Sequence, residues 1–209
     1  MSVLFTTILH DSIILCADKL VTNAITAEVQ HESANKIELW SPTVAVGGTG
    51  SKDLSDLIIS NVHKYVHEIG LDNLTLEELA DLFAQCYYAT REVYTDMPRE
   101  TLGKFMVAGK LSSGKIGAIQ ILVSNDVAET NVIEASEMPV TIIFAPTDVT
   151  DEVCNQLFQK AIRNTRNKNT HHRDLIEATH RKAVRYVSEH SKFVGPKSDY
   201  IVIKPNIPL

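Results

Sequence analysis

Three residues near the start of the chain have types and spacings that could do chemistry together: Ser2, Asp18 and Lys36. Two short apolar runs, 3–9 and 13–17, flank His10-Asp11-Ser12, an arrangement that suits a β-hairpin. A hairpin turning around Asp11 sets Asp18 across from Leu4, beside the first residues of the chain. Removal of Met1 would give Ser2 a free α-amine with a reference pKa of about 8. Such an amine can take the proton of its own residue's hydroxyl, an intramolecular form of nucleophile activation. Lys36, on a nearby candidate strand, would stabilise the forming alkoxide, and Asp18 would hold the lysine charged. The plain alternative is that Asp18 ends a strand and Lys36 lies on the surface.

Other groups point to less. The run Gly47-Gly48-Thr49-Gly50 is read between a strand and a helix, where it is either a tight turn or an oxyanion site for acyl transfer. It lacks the glycine spacing of a phosphate loop, because Ala45 stands where the first glycine is needed. His63 and His67 would lie one helical turn apart without a nearby third ligand, and His171, His172 and His180 fall in a basic, polar stretch. Solvated faces are therefore expected and no metal. Ser12 has no glycine-flanked elbow. Cys16, Cys86 and Cys154, odd in number and widely spaced, read as reduced core thiols.

The elements that must position these residues follow from the hydrophobic period. Further strands are predicted over 25–29, 36–40 and 43–47. The period then changes to helical. Ser51 can cap a helix with Leu54, Leu57, Ile58, Val62, Tyr65, Val66 and Ile69 on one stripe and Gly70 as its stop. Thr75 and Glu78 have capping-box spacing and open a second helix. Strands return over 105–110, 116–123, 132–135 and 140–144, with a turn at Ser112-Ser113-Gly114. Thr150 caps a third helix, a polar linker leads to a fourth, and a strand over 199–203 closes the chain. Hairpin-connected strands interrupted by helix pairs argue for an α+β domain with antiparallel sheets and against a parallel βαβ sheet.

The 209 residues suit one domain, 1–209, with a sizeable core. With 44% hydrophobic and 22% charged residues, disordered, collagenous and fibrous classes are excluded. No apolar run approaches the roughly 20 residues of a membrane-spanning helix. The start lacks a secretory signal, so a cytoplasmic location and no membrane partner are expected. The net charge of −6 is uneven. Eight basic residues between Lys160 and Arg185 face only Asp174 and Glu177 there, against an acidic remainder. No aromatic interleaving accompanies them, so a contact between oppositely charged subunits is preferred to nucleic acid.

At these residues the chain resembles a proteasome β-type subunit or a bacterial proteasome-like peptidase (HslV-like, Anbu-like) of the N-terminal-nucleophile (Ntn) hydrolase superfamily. The resemblance rests on Ile13-Ile14-Leu15-Cys16-Ala17-Asp18, Thr22, Asn35-Lys36-Ile37-Glu38-Leu39 and Val44-Ala45-Val46-Gly47-Gly48, and on the later order of elements. It implies a four-layer αββα sandwich, two antiparallel sheets between helix layers. Ser2 would be the nucleophile, tuned by Asp18 and Lys36, with the Gly47 amide facing the oxyanion. Thr22 would pair with a substrate bound as an added strand. It also implies cleavage of peptide bonds in a peptide or unfolded protein, no cofactor, a ring or related homo-oligomer, and an ATP-dependent unfoldase as a partner.

Two stretches depart from that pattern. Ala145-Pro146-Thr147-Asp148 stands where the family has Ser-Gly-Ser, and His190-Ser191-Lys192-Phe193-Val194-Gly195 where it has an aspartate followed by Ser-Gly-Gly. The supporting hydroxyls are missing at the aligned positions, leaving Ser191, Thr147 or His190 as substitutes. Two alternatives stay open: an inactive structural subunit, and a small-molecule amidase of the same fold.

Overall fold

A computed structural model describes residues 2–22, 28–31, 33–50, 52–93, 103–123, 128–165 and 172–205. The chain opens with the hairpin of β1 (Leu4–Ile8) and β2 (Ile13–Asp18). Its turn is closed by Leu9 N–H donating to Ser12 O at 2.8 Å. This four-residue turn is centred between His10 and Asp11, not on Asp11, so Leu4 pairs with Ala17. Asp18 accordingly lies across from Val3, one residue nearer the chain start than the sequence pattern implied, and its N–H reaches Val3 O at 3.3 Å.

β2 is buried along its whole length because it is a central strand, flanked by β1 and by β11 (Ser198–Ile203). β10 (Val140–Phe144) joins the other side of β1, giving an antiparallel sheet β10-β1-β2-β11. A second antiparallel sheet is a meander of β5 (Ile37–Ser41), β6 (Val44–Thr49), β7 (Gly103–Lys110), β8 (Ile116–Val123) and β9 (Ala128–Glu134). A small pair, β3 (Val21–Thr22) and β4 (Val29–His31), follows the first hairpin. The strand expected over 25–29 falls mostly outside the described residues. Gly47, where the strand expected over 43–47 ends, and Gly48 beyond it both lie inside β6, and of the three glycines in 47–50 only Gly50 has positive φ.

Among the described residues four α-helices complete an α+β fold. α1 (Lys52–Ile69) ends at Gly70, whose φ of 88° suits a glycine stop. Its expected cap, Ser51, lies outside the described residues. α2 (Leu76–Val93) begins with the reciprocal capping box: Glu78 N–H donates to Thr75 Oγ1 at 3.1 Å and Glu78 Oε2 accepts from Thr75 N–H at 2.8 Å. α3 (Asp151–Thr165) and α4 (His172–Ser188) are the other pair, and Thr150 Oγ1 caps α3 through Val153 N–H.

Among the described residues three apolar clusters hold these elements. One joins α1 and α2 to Val46, Phe105, Val107, Ile119 and Ile121 of the meander. Within it Trp40 stacks on Phe83 and meets His63 edge-on, with centroids 5.7 and 5.4 Å away. A second joins α3 and α4 to Val3, Phe5 and Cys16. The third, between the sheets, contains Leu4, Ile8, Ile13 and Leu15 from one and Ala45, Met106, Ala108 and Ala118 from the other. Alternation along β1 decides this division: Leu4 and Ile8 face the second sheet, Val3 and Phe5 face the helices. Burying each large side chain contributes about 1.5–3 kcal/mol. The three cysteines are buried and unpaired, and burial pushes the Cys16 thiol up to about 12. Several cations of the basic segment serve within the fold: Lys160 lies over the Tyr186 ring, Arg181 pairs with Glu177 and covers Tyr200, and Lys182 bonds Asn164 O.

His180 departs from the solvated face expected for it. It is fully buried between the Phe5 and Phe158 rings, each 5.8 Å away. Nε2 bonds Thr7 Oγ1 at 2.8 Å, that hydroxyl bonds Thr141 Oγ1 at 2.7 Å, and Nδ1 has no partner among the described residues. Burial lowers its pKa to about 3. The folded protein thus stays unprotonated at His180 where the unfolded chain, with a pKa of about 6.5, takes up a proton. Stability from this residue is full above pH ~6.5 and falls by about 1.4 kcal/mol per unit down to the folded value. Urea denaturation at pH 7 and pH 5 should show wild type losing about 2 kcal/mol more than His180→Phe. Equal losses in the two proteins would refute this assignment.

Candidate active site

Asp18, at the end of β2, gathers the residues singled out by the sequence. Its side chain is fully buried. Oδ1 accepts from Val3 N–H at 3.0 Å. Oδ2 accepts from Lys36 Nζ at 2.9 Å, Leu20 N–H at 3.0 Å and Gly195 N–H at 3.3 Å. One carboxylate therefore joins the chain start, the turn after β2, the segment before β5 and the turn after α4. Ser2, next to Val3, is buried at 5% exposure.

Lys36 is held by the approach to β5. Its side chain is 9% exposed, and Nζ also donates to Leu20 O at 2.5 Å. Its carbonyl accepts from Gly48 N–H at 3.0 Å, which ties it to β6. Burial raises the proton affinity of Asp18 and lowers that of Lys36, opposed in each case by the partner's charge. Each charge thus offsets part of the cost of burying the other.

Thr22 is placed in β3, two residues beyond Leu20, with a buried hydroxyl that has no partner among the described residues. Gly47 is paired on both sides, with Ile37 of β5 and Met106 of β7. A Cβ there would come within 3.0 Å of Leu4 Cδ2 and 3.2 Å of Ile37 Cγ2. Close packing of the two sheets beside the chain start explains the glycine. Of the substitutes for the missing hydroxyls, His190 turns back to Tyr186 O at 2.8 Å, whereas Ser191 donates to Asp148 Oδ1 at 2.7 Å.

Sequence reasoning missed two contributors, the Gly195 amide and the Leu20 backbone, because a main-chain donor has no signature of residue type. Gly195 did carry a signal, being a glycine directly before Pro196 after a helix. A Cβ on it would lie 2.8 Å from Leu20 Cβ, so only glycine allows the two segments to touch. Among the described residues no group of three or more His, Cys, Asp or Glu side chains could hold a metal. No helix among them is long and apolar enough to cross a membrane.

Removing Lys36 would leave Asp18 buried without its countercharge. Lys36→Met should cost about 3–5 kcal/mol in urea denaturation, and adding Asp18→Asn should recover part of the loss. A Lys36→Met protein as stable as wild type would show that the pair is not a buried ion pair.

No family model matches the sequence, and no curated protein matches it. Solved structures do resemble it. HslV from Trypanosoma brucei superimposes with a TM-score of 0.60 at 17% identity, covering 97% of this chain and 99% of that one. Anbu, the ancestral beta-subunit, from Yersinia bercovieri gives 0.69 at 13% identity, over 96% and 80%. The helical assembly of the Anbu complex from Pseudomonas aeruginosa gives 0.70 at 13% identity, over 98% and 82%. The anticipated proteasome-like architecture is therefore present in its broad form: over nearly its whole length the chain has the α+β fold of HslV and Anbu.

Proposed function

We propose that the chain is an Ntn-type hydrolase of peptide (amide) bonds, with Ser2 as nucleophile once Met1 has been removed. The observation that carries this reading is the Asp18 carboxylate, which binds the Val3 amide and the Lys36 ammonium at once. Ser2 Oγ attacks the amide carbon, its proton passes to the Ser2 α-amine, and the charge on the tetrahedral oxygen calls for a backbone donor, a part the resemblance gives to Gly47 although its N–H also serves the pairing with β7. Lys36 stabilises the attacking oxygen. Collapse releases the amine carrying that proton and leaves an ester on Ser2, which water then hydrolyses. An extended substrate would lie as an added strand beside Thr22.

The reading includes one domain, 1–209, with the layer order helix, sheet, sheet, helix, supported by the three separate apolar clusters. It also includes self-assembly, supported by likeness to a protein solved as a helical assembly. An ATP-dependent unfoldase would deliver unfolded protein to such an assembly.

A second reading, an inactive structural subunit, is favoured by the Ala145-Pro146-Thr147-Asp148 segment, which lacks the serines of the resembled pattern. Intact mass followed by labelling with an electrophilic peptide inhibitor separates the two. Protein without Met1 should be labelled once and should hydrolyse a peptide substrate, and Ser2→Ala should lose both by at least about 100-fold. Equal labelling of wild type and Ser2→Ala, or retention of Met1 throughout, would sink the hydrolase reading.

A further inference from the structure

We propose that Asp148 is a positioning residue: it holds the turn after α4 so that the Gly195 N–H stays on Asp18. This rests on the assignment of Asp18 to the Ser2 site and extends that site to the loop between β10 and α3.

Asp148 lies in the loop between β10 and α3, exposed at the surface. Its two oxygens reach inward to the turn following α4. Oδ1 accepts from Ser191 Oγ–H at 2.7 Å and Oδ2 from Lys192 N–H at 3.0 Å. Ser191 Oγ in turn accepts from Phe193 N–H at 3.1 Å. The hydroxyl and the next two amides are thus spent on one carboxylate–hydroxyl pair, which orders a turn that would otherwise leave these donors to water.

The far end of the turn is equally constrained. Phe193 and Val194 are buried, and Gly195 lies so close to Leu20 that no Cβ fits. The Gly195 N–H then reaches Asp18 Oδ2 at 3.3 Å. Between Lys192, bonded to Asp148, and Gly195 run two residues, Phe193 and Val194, too few to absorb a displacement at one end without passing it to the other. Asp148 therefore acts through Gly195 on the charge state of Asp18, which is the group that holds Lys36. Because Asp148 is exposed, its replacement leaves no hole in a core.

The test uses the full chain with Asp148→Ala, Asp148→Asn and Ser191→Ala. Hydrogen exchange at the Gly195 amide and the carboxyl carbon resonance of Asp18 as a function of pH are measured in each. Asp148→Ala should exchange Gly195 about tenfold faster, with α3 and α4 unchanged, and should move the Asp18 titration midpoint to higher pH. Asp148→Asn, which keeps an acceptor oxygen, should fall between Ala and wild type. Unchanged exchange overturns the proposal, and so does faster exchange with a stationary Asp18 midpoint, since the turn would then be only a structural link. Neither readout needs hydrolysis. If wild-type Ser2 does not react with the electrophile, the hydrolase reading fails by itself and the Asp18 midpoint still decides the role of Asp148.

Discussion

A buried carboxylate with four donors is the constraint from which the rest of this structure can be argued. Taking a charged group out of water costs several kcal/mol unless it is paired and hydrogen-bonded. Asp18 meets that demand with one ammonium and three main-chain amides drawn from four separate segments. Each segment must arrive in register for the charge to be tolerated. The carboxylate thus specifies the relative placement of β1, the β2–β3 turn, the entry to β5 and the exit of α4, whatever its net contribution to stability.

The apolar clusters provide the rigidity that such a group needs. β1 separates its side chains between two of them, and Leu4 and Val3 are adjacent residues serving different cores. Val3 is also the residue whose amide touches Asp18. Displacement of the chain start would therefore disturb packing on both faces of the sheet as well as the ion pair. The close approach of Leu4 to Gly47 adds a contact between the two sheets within a few residues of the site.

Much of this was legible in the sequence, for physical reasons that differ from element to element. The capping box at Thr75 and the glycine stop at Gly70 are local chemistry and appear where the pattern puts them. The first hairpin was legible as two strands, but its register was displaced by one residue because a four-residue turn and one centred on a single residue leave the same apolar pattern. The pairing of Asp18 with Lys36 followed from that hairpin and from a resemblance. The Gly195 and Leu20 contributions were not legible, since they are made by backbone groups brought together by tertiary contact. The strand expected to end at Gly47 runs on through Gly48 to Thr49: glycine lowers strand propensity in the pattern, while in the fold Leu4 and Phe105 occupy the space that side chains at 47 and 48 would need. His180 was misplaced for the opposite reason: its neighbours in sequence are charged, while its own position faces β1.

The packing of Trp40 has an optical consequence. It is the sole tryptophan of the chain, and its indole is fixed between Phe83 and His63 in the cluster beneath α1 and α2. Intrinsic fluorescence excited at the red edge therefore views one of the three cores and is blind to the one beneath α3 and α4. Far-ultraviolet dichroism, by contrast, weighs both helix pairs. Coincidence of the two signals would mean that the sheets and both helix pairs melt as one cooperative unit, and separation would assign the earlier transition to a named side of the molecule.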